Sequence, residues 1–302
     1  IANANGWFTT GGGDDYAKRQ CDYNGNIYFD GTERQLNHTG AMEEYGLPTT
    51  NWNALGFNRT NVNLGFAGVT NVYRTTDLTS GTPTWTQIST FNQTIVDIHS
   101  SIADPNRLYV LVSNGDVYVS SNALAASPTF VLRTPPGSAT SLGSVAAIAN
   151  NADIVYVSEN NAVYRSADAG ATWTNVTYNL PNVNHRRILA EQFGGTEELV
   201  FIATNNAVYY KKAGAVSWTN YSTNLPSRRS PTEFSMYDDV TNQSRIRYAS
   251  FGRAIWESGF DNLRPFSANI VVGDSVIDCD NSSVLYTQGC VGAVNTPITY
   301  SW

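Results

Sequence analysis

Hydrophobic residues recur along this chain at a constant interval. A Val-Tyr pair returns every 45 or 46 residues. Its four copies begin at Val72, Val117, Val163 and Val208. About a dozen residues after each pair comes a further aromatic residue, at Trp85, Phe130, Trp173 and Trp218. A fixed period of this length indicates an architecture built from one repeated supersecondary unit.

The pattern within one unit predicts four short strands. Between residues 185 and 225 they are Arg187–Phe193, Leu199–Ala203, Ala207–Lys211 and Trp218–Ser222. Each run is continuously apolar or alternates between apolar and polar residues, and Gly, Asn, Asp or Pro bounds it. Four strands in about 45 residues are typical of a β-propeller blade, whose apolar faces are covered by the neighbouring blades. We therefore predict an all-β fold, a β-propeller of four-stranded blades.

The repeats divide the chain into predicted regions. Complete blades are predicted at 49–90, 91–136, 137–181 and 182–227. A unit at 230–259 lacks its fourth strand, which we expect N-terminal sequence to supply, within the chain or before Ile1. An atypical unit with one clear strand at Asn26–Phe29 spans 7–48. The predicted organisation is an atypical blade or upstream segment at 1–48, propeller blades at 49–260, and a linker with a partial second module at 261–302. The total number of blades stays open.

Composition narrows the class of partner. Only 14% of the residues are charged, and the net charge is −7 with a pI near 4.9. An acidic chain without a global basic field argues against a nucleic acid partner. No apolar run reaches the roughly 18 residues that a membrane-spanning helix needs, so no membrane span is predicted. Because the chain begins at Ile1 and ends within a predicted strand at Trp302, we expect an internal piece of a longer polypeptide.

Cysteines and acidic residues predict neither a metal site nor a cofactor. Cys279 and Cys290 are close enough in sequence to close a short loop if oxidised, a bond worth roughly 3 kcal/mol. Cys21 would then be left over, and three reduced thiols remain the alternative. Asp14 and Asp15 are adjacent carboxylates without the further spaced ligands that Ca²⁺ requires. The three histidines show no metal-binding spacing.

One tight turn is predicted at the segment Ser166–Trp173, which fits the pattern S-x-D-x-G-x-T-W in full. In such a turn Asp168 accepts hydrogen bonds from backbone N–H groups. Gly170 supplies the left-handed conformation that the turn needs. Trp173 then opens the fourth strand and packs between blades. A stretched version with Asp77 precedes Trp85, and the other repeats lack the aspartate.

These residues resemble a known group of proteins. The run from Ala162 to Asn175 is similar to the Asp-box (BNR) repeat of sortilin-type (Vps10-like) and xyloglucanase-type propellers. The run from Ala249 to Ser258 resembles the strand that ends the propeller in large secreted or cell-surface proteins of Bacteroidota. In such propellers Asp-box turns lie on the outer rim. The resemblance therefore implies a structural role for Ser166, Asp168, Gly170 and Trp173, with catalysis by Asp168 the disfavoured alternative.

The same resemblance implies a second module and a cellular location. In that group PKD-like modules with an immunoglobulin-like β-sandwich fold follow the propeller. The segments Val271–Val276 and Ile298–Trp302 are similar to strands of such a module. Members of the group are exported by the type 9 secretion system. The expectation is a secreted or cell-surface protein that meets secretion-system components during export.

Five arginines form the predicted ligand site. In the order of a propeller blade they fall in loops of one face, at Arg186, Arg187, Arg228, Arg229 and Arg253. Arginine suits the recognition of carboxylate, sulfate or phosphate. We predict an anion-binding patch for an acidic glycan. The alternative is a set of inter-blade salt bridges with Glu191, Glu233 or Asp238.

A catalytic function is disfavoured by the carboxylates. Glycoside hydrolysis needs two carboxyl groups that face each other across a cleft. The candidates near the propeller axis are Asp14, Asp15, Asp97, Glu191 and Asp238, and nothing marks any pair of them. We predict a non-catalytic module for binding, adhesion or display, whose partner is an extracellular glycan or a surface protein. Two alternatives stay open: a polysaccharide-active glycoside hydrolase whose remainder lies outside this chain, and a passive region of a secreted cargo.

Overall fold

The structure is a computed structural model. It describes residues 8–11, 19–21, 26–29, 33–35, 42–47, 52–137, 143–193, 197–223, 225, 231–237, 245–250, 255–260, 267–272 and 285–291. Within these residues every regular element is a β-strand. The predicted all-β fold is therefore confirmed. None of these residues belongs to a helix long and apolar enough to cross a membrane.

Six four-stranded sheets, here called blades 1 to 6, contain 24 of the 26 described strands. Blade 1 consists of β2 (Arg19–Cys21), β3 (Ile27–Phe29), β4 (Glu33–Gln35) and β5 (Met42–Glu44). Blade 2 consists of β6 (Ala54–Phe57), β7 (Gly65–Gly68), β8 (Asn71–Thr75) and β9 (Thr86–Thr90). Blade 3 consists of β10 (Ile95–Ser100), β11 (Leu108–Val112), β12 (Val117–Ser120) and β13 (Val131–Leu132).

The remaining blades follow the same plan. Blade 4 consists of β14 (Gly143–Ile148), β15 (Asn151–Glu159), β16 (Ala162–Ser166) and β17 (Thr174–Asn175). Blade 5 consists of β18 (His185–Phe193), β19 (Glu197–Thr204), β20 (Val208–Lys212) and β21 (Thr219–Asn220). Blade 6 consists of β22 (Pro231–Tyr237), β23 (Arg245–Ser250), β24 (Ile255–Gly259) and β1 (Phe8–Gly11). Every neighbouring pair of strands in the six blades is antiparallel, as in an up-and-down meander.

The fourth strand of blade 6 comes from the start of the chain. β1 pairs antiparallel with β24, and Phe8 lies opposite Glu257 while Thr9 lies opposite Trp256. The segment interpreted as one atypical unit at 7–48 is therefore divided: β1 completes the last blade, whereas β2 to β5 form a sheet of their own. The alternation in this segment is too irregular to separate the two parts by sequence.

The hydrophobic core lies in the seams between neighbouring blades. Side chains of a strand point alternately to its two faces, so β15 contributes to two seams. Val155 and Val157 pack towards Leu111 of blade 3, whereas Tyr156 packs towards Ile202 of blade 5. Each of these side chains is at most 1% exposed. Burial of one such side chain stabilises the fold by about 1.5–3 kcal/mol.

The recurring aromatic residues tie the outer strands of consecutive blades together. The indole N–H of Trp85 donates to the Tyr45 carbonyl of blade 1 at 2.8 Å. The indole N–H of Trp218 donates to the carbonyl of Val176, next to β17 of blade 4, also at 2.8 Å. The aromatic residues that recur in the sequence therefore correspond to a contact that is repeated between consecutive blades.

Beyond blade 6 the structure describes one hairpin. β25 (Ser267–Val272) pairs antiparallel with β26 (Leu285–Val291). The rest of the predicted immunoglobulin-like module lies outside the described residues. Cys279 and the side chains of Cys21 and Cys290 also lie outside them, so the disulfide stays a prediction.

Candidate functional site

The meander gives each blade two ends with different loops. One end, here called the upper face, carries the turns between second and third strands and the connections between blades. The opposite end, the lower face, carries the remaining turns. The first strands of blades 2 to 6 are consecutive neighbours and form the inner wall. Loops on a rigid scaffold are where propellers and other folds most often place binding residues.

Bulges shape the upper end of the inner wall. The pairing register shifts by one residue between Ile95 and Asp97, between His185 and Arg187, and between Pro231 and Glu233. Asp97 and Arg187 consequently occupy equivalent positions in blades 3 and 5, each opposite the next-to-last residue of the second strand. Ser144 occupies this position in blade 4. A bulge re-aims the side chain that follows it. The bulges of blades 3 and 5 thus bring Asp97 and Arg187 to the level of Ser144 in blade 4, which lies between them.

Asp97 is bound by the neighbouring blade. Its Oδ2 accepts hydrogen bonds from Ser144 Oγ at 2.7 Å and from the Val145 N–H at 2.9 Å. Its Oδ1 accepts from the Ile98 N–H at 3.0 Å. Burial raises the pKa of Asp97 above its ordinary value, although Arg187 and these hydrogen bonds act in the opposite direction. The carboxyl group therefore joins blades 3 and 4 at the wall.

Arg187 is the one predicted site arginine whose side chain the structure describes. Its Nη1 donates to the carbonyl oxygen of Gly143 at 3.5 Å, and its charge lowers the pKa of Asp97. It thus reaches from blade 5 to blade 4. The carboxyl groups of the salt-bridge alternative, those of Glu191, Glu233 and Asp238, lie outside the described residues, so both predictions for these arginines stay predictions. Arg186 is the extra residue of the β18 bulge, and its side chain lies outside the described residues. Arg228, Arg229 and Arg253 lie outside them entirely.

Glu159 is a chemically unusual residue that sequence reasoning missed. It ends β15 at the upper face and is 3% exposed, and among the residues that the structure describes neither of its carboxylate oxygens has a hydrogen-bond partner. Burial, and to a smaller extent the charge of Asp116 on blade 3, together raise the pKa of Glu159 to about 7. The sequence pattern could have indicated its burial. Val155, Val157 and Glu159 are spaced two residues apart and share one face of the strand, so the carboxyl group follows two core valines on that face.

The Ser166–Trp173 turn lies at the lower, outer part of blade 4. Asp168 Oδ1 accepts from the Thr172 N–H at 2.8 Å and from Ser166 Oγ at 2.8 Å, while its Oδ2 accepts from Thr172 Oγ1 at 2.7 Å. Ser166 Oγ accepts in turn from the Gly170 N–H at 2.7 Å. The Thr172 hydrogen bonds lower the pKa of Asp168 to about 2. Gly170 has φ +83° and packs against Trp173.

Two other blades use the same turn chemistry. In blade 2, Asp77 Oδ1 accepts from Thr75 Oγ1 at 2.6 Å and from the Thr84 N–H at 2.9 Å. In blade 3, Asn122 Oδ1 accepts from the Thr129 N–H at 2.9 Å. Sequence reasoning overlooked Asn122 because it searched for aspartate, whereas the turn requires only an acceptor oxygen. Such turns hold a strand connection together, and nothing in them faces the inner wall.

The other catalytic and metal candidates give no assembled site. Asp14, Asp15 and Asp238 lie outside the described residues, as does the side chain of Glu191. His99 of β10 faces blade 4, where burial lowers the pKa of His99 to about 4. In the part of the chain that the structure describes, no three His, Cys, Asp or Glu side chains are grouped to hold a metal ion.

Comparison with known proteins supports the architecture. Residues 129–253 match the family model of the DUF6242 β-propeller domain. The chain contains a β-propeller domain. The crystal structure of an ancestral GH74 enzyme is similar to this chain, with a TM-score of 0.60 and 19% sequence identity. The similarity covers 82% of this chain and 36% of the enzyme's chain, so the propeller chain spans about a third of the enzyme's length.

These similarities show the fold alone. No curated protein matches the chain, whereas 1001 solved protein chains do. A fold that so many chains share selects no single function. The function has to be argued from the residues at the upper face and in the seams.

Proposed function

We propose that this propeller is a non-catalytic, secreted or cell-surface module for binding, adhesion or display, with an extracellular glycan or surface protein as its partner. The observation that carries the proposal is the hydrogen bonding of the Asp97 carboxyl group. Both of its oxygens accept hydrogen bonds from blades 3 and 4 at 2.7–3.0 Å. A glycosidase requires two carboxyl groups free to meet the sugar, and this inner-wall carboxyl is committed to the scaffold.

The inner wall favours an anionic glycan as ligand. Arg187 lies at its upper end, and Arg186 adjoins it in the bulge. Arg228, Arg229 and Arg253 belong to loops that the blade order assigns to the same face. A planar guanidinium binds carboxylate or sulfate through paired N–H donors. The proposal includes export by the type 9 secretion system and a PKD-like module after the propeller, both supported by the resemblance of Ala249–Ser258 and the tail.

A polysaccharide-active enzyme is the second candidate, and Glu159 favours it. A carboxyl group with a pKa near 7 is about half protonated at neutral pH, which suits a general acid. The crystal structure with a similar fold is that of a GH74 enzyme. Against it, Glu159 is 3% exposed and faces the seam between blades 3 and 4, where no sugar reaches it. We therefore place it in the scaffold.

One experiment separates the two candidates. The purified chain is incubated with neutral and acidic polysaccharides, and bound polymer and new reducing ends are both measured. We expect binding without cleavage, weakened by Arg187→Ala and by Arg228→Ala with Arg229→Ala. Arg107→Ala is the control, because Arg107 pairs with Asp153 at the lower face. New reducing ends that vanish in Glu159→Gln would replace the binding proposal with the enzyme. If all arginine variants retain polysaccharide binding, the upper-face arginines do not form the binding site.

A further inference from the structure

A tyrosine is displayed on the outer rim between blades 4 and 5. Tyr178 follows β17, is 45% exposed, and has φ +44°. A bulky residue in the left-handed region is strained and persists only where its surroundings impose that conformation. The surroundings do so here: Thr177 Oγ1 accepts from the Val163 N–H at 2.9 Å. On the other side, the amide of Asn179 exchanges two hydrogen bonds with the backbone of Trp218.

A buried lysine lies beneath this ring. Lys211 of β20 is 5% exposed, and its Nζ is 6.0 Å from the centroid of the Tyr178 ring. Nζ donates a hydrogen bond to the adjacent Lys212 carbonyl at 3.2 Å. Among the described side chains, no carboxylate lies within 4.0 Å of this ammonium group. A buried ammonium without a carboxylate partner is costly.

The nearest carboxylate is already occupied. Glu198 Oε2 accepts from Arg165 Nε at 2.9 Å and from the hydroxyl of Tyr156 at 2.5 Å. Glu198 Oε1 accepts from Arg165 Nη2 at 2.5 Å. The described seam thus holds two cations, Arg165 and Lys211, for one carboxylate. Burial lowers the pKa of Lys211; the charge of Glu198 acts in the opposite direction, and the charge of Arg165 lowers the pKa again. One positive charge is left over under an exposed aromatic ring.

We propose that this rim seam binds an acidic sugar residue, with its ring stacked on Tyr178, its anionic group bound by the partly exposed Arg165, and the buried charge of Lys211 attracting that group from beneath the ring. Tyrosine offers a flat, rigid contact surface at low entropic cost. Arg165 keeps Nη1 available, since Glu198 engages only its Nε and Nη2. The anionic group is a uronate carboxylate or a sulfate ester. The site rests on the proposed glycan-binding function but is separate from the upper-face arginines.

Two variants test this site without removing its support. Tyr178→Asn removes the ring but keeps a residue that tolerates positive φ. Lys211→Met removes the charge at similar volume. Lys212→Met is the matched control, because alternation along β20 turns Lys212 to the opposite face. The probes are polygalacturonate, dextran sulfate and neutral dextran, with binding measured by calorimetry and the thermal midpoint checking the fold.

We expect Tyr178→Asn and Lys211→Met each to weaken binding of an acidic probe by about tenfold or more, equivalent to about 1.4 kcal/mol. Lys212→Met should bind like the parent chain, and neutral dextran should bind weakly to all. Preference between polygalacturonate and dextran sulfate identifies the anion. Acidic-probe binding unchanged in both folded variants overturns the site. If that binding is instead lost in Arg187→Ala, the proposed function survives without this site. A parent chain that binds no polysaccharide overturns this site and the glycan as partner, and leaves a surface protein or display as the proposed role.

Discussion

Glu159 makes the stability of this propeller depend on pH in a direction opposite to that of most carboxylates. In the unfolded chain its pKa returns to its ordinary value near 4.5, whereas burial raises it to about 7 in the folded chain. The folded state therefore holds a proton that the unfolded state has lost. As far as Glu159 determines it, the free energy of unfolding is highest below about pH 4.5, falls between pH 4.5 and 7, and stays at the lower level above pH 7.

The size of this effect follows from the two pKa values. The two pKa values differ by about 2.5, and a difference of one corresponds to about 1.4 kcal/mol, so the penalty approaches about 3.5 kcal/mol above pH 7. Glu159→Gln replaces the carboxyl group by a neutral group of the same shape. We expect the variant to lose this descent and to be the more stable protein at pH 8.

The assay is guanidinium denaturation followed by tryptophan fluorescence at pH 4.5, 6, 7 and 8. The control is Glu257→Gln, because Glu257 is also buried but forms ion pairs with Arg245 and Arg247 at 3.1 and 2.7 Å. The control should lose stability and keep the descent due to Glu159. Parallel pH profiles of the parent chain and Glu159→Gln would refute the reasoning.

Four further predictions concern the scaffold. Trp218→Phe removes the indole donor to the Val176 carbonyl and should cost about 1–3 kcal/mol in chemical denaturation; an unchanged midpoint contradicts this. Asp97→Ala leaves two donors of blade 4 without their acceptor and should cost about as much, while Asp97→Asn keeps part of it; equal stability of both variants would show the contact to be unimportant. Asp168→Ala should lower the thermal midpoint while Asp168→Asn nearly preserves it, since Asn122 serves an equivalent turn; equal losses would mean that the charge matters. Deletion of residues 1–11 exposes the edge of β24 and should produce dimers or aggregates in light scattering; a stable monomer would argue against the β1–β24 pair.

Much of the fold could be predicted because the residues that recur every 45 or 46 positions are the ones that form the core contacts between blades. Each Val-Tyr pair sits on a third strand, and each later aromatic contacts the preceding blade, so a regular spacing carries the architecture. The four predicted strands of blade 5 correspond to β18 to β21. The first 48 residues could not be assigned because β1 pairs with a strand about 250 residues away. No local pattern encodes so distant a partner.

The candidate site was less accessible to sequence reasoning. Arg187 was predicted from its place between two blades in the repeat. Its contact with Gly143 depends on a bulge in β18, and the residue types there do not predict a bulge. Glu159 was passed over because a charged residue at a strand end normally faces solvent. The alternation with Val155 and Val157 was the stronger evidence. Lys211 was likewise counted as a strand residue, and only the three-dimensional structure sets it under Tyr178.

The pairing of β1 with β24 also determines how the propeller would bear mechanical load. Phe8 lies opposite Glu257, so the start of β1 and the end of β24 emerge at the same end of the pair. Tension that pulls these two points apart opens the strand pair one hydrogen bond at a time, as a zipper opens. It does not load all the bonds together. A load applied between the segment before β1 and the segment after β24 would therefore open this strand pair first, while blades 2 to 5 stay intact.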